Sequence, residues 1–245
     1  MDGILLVDKP KGWTSHDVVA KVRSMLREAS RHEPRDTSRK LATRDSRLAT
    51  KIKVGHTGTL DPMATGLLIL VVGTYTKRAQ EFSKLDKVYE AELTLGSTST
   101  TGDAEGEIRA ASRPETLDSR PTEDEVNKIL ESFVGEQMQI PPAHSAIKID
   151  GQRAHKLARA GNDVKMEARP VTIYLIDDIK YDYPQLSFAT KVSSGTYIRS
   201  LAVDIGQKLG TGAYLSALRR TEVGKYKIDQ ATTLTKFTKS DIIAS

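Results

Sequence analysis

The 245-residue chain is 38% hydrophobic and 28% charged, the balance of a globular protein that is large enough to bury a core. It contains no cysteine, which excludes disulfide bonds, thiolate metal sites and cysteine nucleophiles. The longest apolar run, residues 67–72, is too short to cross a bilayer, and no secretory signal opens the chain, so we expect a cytoplasmic protein without a membrane partner.

The net charge of +5 is concentrated in one segment. Residues 29–53 carry eight Lys or Arg against three Asp or Glu, an excess equal to that of the whole chain. A local excess of cations is typical of a surface that binds a polyanion such as nucleic acid. A solvated basic loop has the same composition, so the charge alone leaves both interpretations open.

In chain order, the hydrophobic pattern first predicts a strand and a helix. Residues 4–7 form a short apolar run, which ends at the turn residues DKPKG of positions 8–12. Thr14 and Ser15 can cap a helix over the residues that follow. Five apolar side chains recur there at helical spacing: Val18, Val19, Val22, Met25 and Leu26.

The next elements alternate between strands and polar connections. Residues 67–72 are uniformly apolar, which predicts a buried strand, and residues 88–95 alternate between apolar and polar side chains, which predicts a half-buried strand. Residues 96–121 are polar and predict a loop. Thr122 and Glu125 have the spacing of a capping box and predict the start of a helix.

The C-terminal part of the chain predicts two strands and two helices. Residues 171–179 and 186–192 have the composition of strands, residues 196–209 have an apolar face at helical spacing, and residues 213–219 predict a short helix. Strands and helices are interspersed without a strict β-α-β alternation. We therefore expect an α/β protein of the α+β type, with a mixed, largely antiparallel central sheet flanked by helices.

Several motifs of cofactor chemistry are missing from the chain. None of the five histidines belongs to an H-E-x-x-H pair, and neither a G-x-x-x-x-G-K-[ST] loop nor a G-x-G-x-x-G fingerprint occurs. The G-x-S-x-G nucleophile elbow is missing as well. If the protein is an enzyme, we expect it to work with its own side chains, without a metal or another cofactor.

A glycine-rich turn at residues 55–66 contains one acidic residue, Asp61. Pro62 biases Asp61 toward extended backbone, and the glycines of the turn permit the close approach of another molecule. This arrangement can direct one carboxylate toward a pocket. An Asp before a Pro is also common in simple Asx-turns, and from these residues alone the structural interpretation is favoured.

A resemblance to a known family is carried by residues 55–68, which read GHTGTLDPMATGLL. This stretch is similar to the catalytic motif of the bacterial TruB family of tRNA pseudouridine synthases. Further blocks resemble the family in the family's own order, at residues 3–15, 87–89, 139–151, 193–201 and 218–220. The resemblance covers about residues 3 to 225 and implies the pseudouridine-synthase fold in a single catalytic domain, residues 1–245.

The resemblance implies catalytic roles for three residues. Asp61 matches the aspartate that is the family's nucleophile, in a reaction that breaks the C1′–N1 bond of uridine, turns the base and rejoins it through C5. Attack at C1′ and attack at C6 both remain open. Tyr89 matches the tyrosine that stacks on the target base, and Arg199 matches the arginine that pairs with the nucleophile. From pattern alone, an ordinary core aromatic is the favoured interpretation of Tyr89. Arg199 could be a surface charge, although the first turn of a helix is an electrostatically poor position for a cation.

The resemblance also implies a set of substrate-binding residues. His56 matches a histidine that replaces the stacking lost when the target uridine is flipped out, and Tyr197 matches a second tyrosine of the site. Leu218 is expected to pack beside the bound base, although a core leucine explains it as well. Three cations are expected to meet RNA phosphates: Lys9, Arg219 and Arg220.

The partner implied by the resemblance is tRNA. The substrate is expected to be the uridine at position 55 of the T-loop, in the T-arm, and the protein is expected to act as a monomer. Two alternatives stay open: a synthase of the same chemistry that acts on another RNA, and an RNA-folding or RNA-binding module without catalysis.

Three regional features qualify the resemblance. The basic stretch 29–53 is longer than the usual link between the first helix and the catalytic motif, and is either an added tRNA-contacting arm or an idle loop. Residues 137–166, approximately, are expected to form a thumb-like insertion that contacts RNA. No room is left for the C-terminal PUA domain of many family members, so we expect weaker RNA binding outside the T-arm.

Overall fold

The computed structural model describes residues 2–31, 52–111, 120–145, 147–149, 151–161, 164–235 and 237–243. The chain divides into two compact units, of which the first comprises Met1–Ser83 and Lys225–Ser245 and the second Lys84–Gly224. Most of the predicted basic insertion, residues 32–51, lies outside the described residues. The single catalytic domain and the thumb-like insertion stay predictions.

The first unit begins with three strands, a long helix and two short helices. These elements are β1 (Gly3–Lys9), α1 (Ser15–Arg31), β2 (Val54–His56), β3 (Thr65–Val72), a 3₁₀ helix (Gly73–Arg78) and α2 (Ala79–Ser83). β3 pairs antiparallel with β1 along its whole length and with β2 at its C-terminal end. The strands predicted at residues 4–7 and 67–72 and the first helix are confirmed.

Helix α1 is stabilised by a hydrogen-bonded cap at its N-terminal end and by an apolar stripe along one face. The Thr14 N–H donates to the Asp17 carboxylate at 2.9 Å, and the Asp17 N–H donates to the Thr14 hydroxyl at 3.1 Å, the reciprocal arrangement of a capping box. The predicted apolar side chains Val18, Val22 and Leu26 are fully buried in the core of this unit. The helix therefore covers the sheet with the face that the sequence periodicity indicates.

The second unit is built on a five-stranded antiparallel sheet in the order β12-β4-β11-β10-β7. Its strands and helices are β4 (Lys87–Leu95), β5 (Ser97–Ser99), β6 (Ile108–Ala110), α3 (Glu123–Glu131), β7 (Gly135–Gln139), β8 (Lys148–Ile149), β9 (Gln152–Arg153), α4 (Ala154–Arg159), β10 (Arg169–Asp182), β11 (Gln185–Val192), α5 (Ile198–Lys208) and β12 (Ala213–Val223). The chain then returns to the first unit with β13 (Tyr226–Lys227) and two 3₁₀ helices (Ile228–Gln230 and Lys239–Asp241).

The predicted fold class is confirmed. The strand pairs of both units are antiparallel, and isolated parallel bridges at Val7↔Thr232 and Asp103↔Leu215 make the pattern mixed. The capping box at Thr122 and Glu125 is present at the start of α3, and α5 buries its predicted apolar face. Among the described residues, no helix is both long and apolar enough to cross a membrane.

The short helix predicted at residues 213–219 is wrong, because this segment is part of the strand β12. The strand is irregular, with register shifts between Leu215 and Ala217 and between Arg220 and Glu222. Each shift places an extra residue in the strand, so the spacing of the buried side chains alternates between two and three. These buried residues are Ala213, Leu215, Leu218, Arg220 and Val223. Such spacing imitates a helical face in the sequence.

The loop predicted at residues 96–121 is partly wrong. The strands β5 and β6 pair with each other within it, although residues 112–119 lie outside the described part of the chain. All three residues of β6 are exposed, so this hairpin has no buried face that would produce an alternating apolar pattern.

Close packing between α5 and the start of β12 depends on Gly206. A Cβ at this position would overlap the backbone of Gly212 and Ala213. The Gly206 carbonyl also accepts hydrogen bonds from the N–H groups of Thr211 and Gly212, at 3.1 and 3.0 Å. The helix and the strand are thereby held at a distance that no larger residue permits.

We expect Gly206→Ala to lower the free energy of unfolding by about 1–3 kcal/mol, because the methyl group overpacks this contact. In an exposed helix the same change would raise the free energy of unfolding by about 1 kcal/mol. The sign of the measured change therefore distinguishes close packing from an open position. Urea unfolding measures it, with Val203→Ala as control because Val203 is exposed on the same helix. An unchanged or raised unfolding midpoint for Gly206→Ala would contradict the packing argument.

Candidate active site

Asp61 lies half-buried in the turn between β2 and β3, in the first unit. The Ala64 N–H donates to the Asp61 carbonyl at 3.1 Å, which closes the turn. On one side, the hydroxyl of Ser15 donates to the Leu60 carbonyl at 3.1 Å and accepts from the Leu60 N–H at 2.9 Å. On the other side, the Gly12 N–H donates to the Pro62 carbonyl at 2.8 Å. Both chain neighbours of Asp61 are therefore tied down, Leu60 to the start of α1 and Pro62 to the connection between β1 and α1.

Lys9 reinforces the same connection from inside the protein. Its side chain is fully buried, and its ammonium group donates to the carbonyls of Trp13 at 2.7 Å, Pro10 at 3.0 Å and Pro62 at 3.4 Å. A buried ammonium is costly to move away from the carbonyls that compensate its lost hydration. Lys9 therefore helps to hold the Asp61 turn, and its contact with RNA phosphate stays a prediction.

His56 ends β2, five residues before Asp61, and is half-buried. Its ring contacts the ring of His16 edge-on, with 5.2 Å between centroids and 75° between planes. His16 is exposed in the first turn of α1. The sequence reasoning assigned no role to His16, because no local pattern connects two histidines that lie 40 positions apart.

Tyr89 lies in the second unit, on the buried face of β4, and is 8% exposed. In the sheet it is opposite Thr190 of β11 and Arg220 of β12. The alternating burial of β4 that the sequence predicted is confirmed, since Tyr89, Ala91 and Leu93 are all buried.

Arg199 is buried in the first turn of α5, where a lone cation is electrostatically unfavourable. An ion pair with the buried carboxylate of Asp103, at 3.4 Å, offsets this cost. The guanidinium also donates to the carbonyls of His144 at 3.0 Å and Thr101 at 3.4 Å. Asp103 is in turn held by the Thr101 hydroxyl at 2.5 Å and the Glu105 N–H at 3.0 Å.

Asp103 is a residue that the sequence reasoning missed. It lies in the polar segment predicted as a loop, and nothing in its neighbours distinguishes it from a solvated acid. The only indirect signal was Arg199, whose unfavourable position in the helix calls for a negative partner. The predicted pairing of Arg199 with Asp61 stays a prediction.

Tyr197 precedes α5 and is fixed by Gln139 at the end of β7. The Tyr197 N–H donates to the Gln139 side-chain oxygen at 2.8 Å, and the Gln139 amide donates to the Tyr197 carbonyl at 3.1 Å. The Ser200 hydroxyl donates to the Ile140 carbonyl at 2.8 Å. The N-terminal end of α5 thus anchors the residues at which the predicted thumb-like insertion begins.

The remaining predicted residues follow one another on β12. Leu218 and Arg220 are buried, and Arg219 is half-buried, so Arg219 is the more accessible of the two arginines.

Lys87, the first residue of β4, is also buried in this unit. Burial and, next, the positive charge of Arg220 lower the pKa of Lys87 from 10.5 to about 8, against an opposing effect of Asp86.

Within the described ranges, no three His, Asp or Glu side chains come together as a group that could hold a metal ion. Asp61 lies on a braced turn of the first unit, whereas Arg199, Tyr89 and Tyr197 belong to the second unit. These are groups for nucleophilic and electrostatic chemistry by side chains.

Comparison with known proteins shows the family to which the chain belongs. The sequence profile described as TruB family pseudouridylate synthase (N terminal domain) matches residues 46–198. The profile of the tRNA pseudouridylate synthase B C-terminal domain matches residues 199–244. These matches define an isomerase of the pseudouridylate synthase class.

Curated relatives specify the family further. A protein of Opitutus terrae named tRNA pseudouridine synthase B is 42% identical over 235 residues, covering 96% of this chain and 86% of that protein. One of the same name from Thermobifida fusca is 44% identical over 245 residues, covering 95% and 73%. The chain belongs to the TruB family of tRNA pseudouridine synthases, as the sequence motifs indicated.

Solved structures agree with the fold. A chain in the crystal structure of a Cbf5-Nop10-Gar1 complex is similar with a TM-score of 0.65 at 29% identity. Another, in an H/ACA RNP bound to a substrate RNA containing 2′-deoxyuridine, has a TM-score of 0.62 at 26% identity. Each match covers 95% of this chain, and this chain spans about half the length of those two (52% and 51%).

We expect Asp103→Asn to lower the free energy of unfolding by about 3 kcal/mol, because it removes the negative partner of a buried arginine. Asparagine has nearly the same size, so packing is retained. The matched control is Glu107→Gln, which removes the same charge from an exposed ion pair with Arg109 and should change little. Urea unfolding distinguishes the two, and equal losses would contradict the importance of the buried pair.

Lys87 predicts a pH dependence of stability. Its pKa in the folded protein, about 8, lies below the value of 10.5 that it regains on unfolding. Between these values the unfolded chain binds more protons, so the free energy of unfolding contributed by Lys87 rises with pH. The penalty for the buried charge is fully present below about pH 8 and is relieved by pH 10.5.

Urea unfolding of the wild type and of Lys87→Met, at pH values on both sides of 8, isolates this contribution from that of other groups. As the pH rises, the free energy of unfolding of the wild type should increase by about 1–2 kcal/mol relative to that of the variant. A difference between the two proteins that stays constant with pH would show that Lys87 has an ordinary pKa.

Proposed function

We propose that the protein converts the uridine at position 55 of the tRNA T-loop into pseudouridine, acting as a monomer with Asp61 as its nucleophile. The family membership supports the reaction type and tRNA as the substrate class. The observation that carries the choice of Asp61 is its double anchoring: the backbone before it is hydrogen-bonded to Ser15 at the start of α1, and the backbone after it to Gly12 in the β1–α1 connection. A nucleophile is effective when its direction is set before the substrate binds.

The reaction is an isomerisation in which no atom is added. The carboxylate of Asp61 attacks the bound nucleotide, at C1′ of the sugar or at C6 of the base, and the C1′–N1 bond breaks. The base turns, a bond forms between C1′ and C5, the bond between Asp61 and the nucleotide breaks to free the carboxylate, and C5 loses its proton. N1 ends with a proton, so the product has the composition of the substrate. This balance requires neither an oxidant nor a cofactor.

The target uridine must leave its stack before it can react, at a cost of a few kcal/mol. We assign His56 to the space that the uridine vacates, since its half-buried ring is steadied by the edge of His16. Tyr89, Tyr197 and Leu218 are assigned to the flipped base. Two of these, Tyr89 and Leu218, are buried at 8% and 9% exposure, which suits a contact with an apolar base face.

Arg199 is assigned to keep the nucleophile ionised. A guanidinium in a dry environment holds a nearby carboxylate charged far more strongly than one in water does. The ion pair with Asp103 keeps Arg199 itself in one place. Arg219, half-buried on β12, is assigned to RNA phosphate, and Arg220 with its 2% exposure is assigned a weaker share of that contact.

The test uses a T-arm hairpin that carries tritium at C5 of its uridines. Pseudouridine formation releases this tritium to water, so stoichiometric release from one uridine is expected. Asp61→Asn should reduce the rate by at least about a thousandfold. The matched control is Asp229→Asn, which neutralises an exposed acid of the same unit and should turn over normally.

Other outcomes discriminate between substrates. A tRNA whose position 55 is cytidine should release no tritium, and release from it would place the target elsewhere. Turnover of full tRNA but not of the hairpin would mean that the protein reads the folded elbow. Turnover of ribosomal RNA fragments alone would refute the T-loop assignment.

A further inference from the structure

Trp13 is a large exposed aromatic residue to which the proposed function gives no task. It is the only tryptophan of the chain and lies in the connection between β1 and α1, with 36% of its surface exposed. The neighbouring side chain of Lys11 is exposed as well. Tryptophan is rarely fully buried in proteins, so the exposure alone assigns it no role, and any role depends on what surrounds it.

The backbone of Trp13 is fixed to the Asp61 turn. The Trp13 carbonyl accepts a hydrogen bond from the buried ammonium of Lys9 at 2.7 Å, and the same ammonium donates to the Pro62 carbonyl at 3.4 Å. The preceding Gly12 N–H also donates to Pro62, at 2.8 Å. The indole is therefore carried on a segment that keeps a constant position relative to the proposed nucleophile.

The surroundings of Trp13 suit single-stranded RNA. Further along the same segment, the exposed His16 touches His56, the residue assigned to the vacated uridine stack. Aromatic faces with a cation beside them are the usual platform for an unpaired nucleotide, since the base stacks on the ring and the cation meets the phosphate. Trp13 and Lys11 supply both parts on one short, braced connection.

A purely structural explanation exists for part of the indole. Trp13 directly precedes Thr14, which caps α1, and the fully buried Val18 follows at the position where a hydrophobic staple would form. A staple accounts for the covered side of the ring. It requires only an apolar side chain, so leucine would serve equally, and it leaves the exposed face unexplained.

We propose that Trp13 is a stacking platform for an unpaired base of the substrate RNA next to the target uridine, with Lys11 at the adjoining phosphate. This proposal rests on the proposed function, because it places the RNA loop over the Asp61 turn. It adds a specificity-determining contact in the first unit that lies outside the residues matched to the family's site.

The first experiment exploits the single tryptophan, whose emission reports on position 13 without any labelling. The T-arm hairpin is titrated into Asp61→Asn, and binding is followed independently by the anisotropy of a dye on the RNA. We expect the tryptophan emission to be quenched in parallel with binding, because a base stacked on the indole quenches it. Binding by anisotropy with unchanged emission would overturn the proposal.

The second experiment separates stacking from the staple. Trp13→Leu keeps an apolar staple without an aromatic face, and Trp13→Phe keeps both. We expect Trp13→Leu to raise KM for the hairpin about tenfold with little change in kcat. Trp13→Phe should have a KM close to that of the wild type. Equal urea midpoints for the three proteins would exclude a folding effect. A Trp13→Leu variant with the KM of the wild type would overturn the proposal and leave the staple as the whole role.

Lys11→Gln supplies an independent measure of the phosphate contact. It should reduce the slope of log Kd against log salt concentration by about 1. An unchanged slope would remove Lys11 from the proposed contact.

The failures of the two proposals are distinguishable. If the wild type releases no tritium from any RNA, the proposed function fails and this proposal fails with it. If the wild type turns over normally and Trp13→Leu has the same KM, this proposal alone is refuted.

Discussion

The buried ammonium of Lys9 is the interaction on which the first unit's candidate site depends. An ammonium has three donors, and here the carbonyls of Pro10, Trp13 and Pro62 accept them. Since desolvating this charge is costly, the three carbonyls are held near one point. The loop after β1 and the turn that carries Asp61 consequently behave as one piece, with Ser15 and Leu60 closing the other side. The backbone that carries the Asp61 carboxylate is thereby held in place.

A second buried charge organises the other unit in a comparable way. Arg199 stands in the first turn of α5, and Asp103 neutralises it from a connection far away in the sequence. Helix α5 in turn lies directly against the start of β12, because Gly206 allows backbone contact there. The hydrogen bonds between Gln139 and Tyr197 attach the same helix end to β7. The positions of Arg199, Tyr197 and Leu218 thus depend on the packing of one helix.

Elements with a regular period could be predicted, and those with an irregular one could not. The apolar stripe of α1, the alternation of β4 and the capping box of α3 each arise from contacts between near neighbours in the chain, so a local pattern reports them. The prediction of a helix at residues 213–219 was wrong, because the two register shifts of β12 produce a helix-like spacing of buried residues. The full burial of Lys9 could not be predicted either, because nothing local distinguishes a solvated lysine from a buried one.

The family, the candidate nucleophile and most of the regular elements follow from the sequence alone, because motif and periodicity are properties of consecutive residues. The pairing of the buried charges follows from the fold. Asp103 and Arg199 are 96 positions apart, and Lys9 and Pro62 are 53 apart, so no local pattern relates them. The partner of a buried charge is set by which chain segments the packed core brings together, and the strong penalty for an uncompensated charge makes those pairings specific.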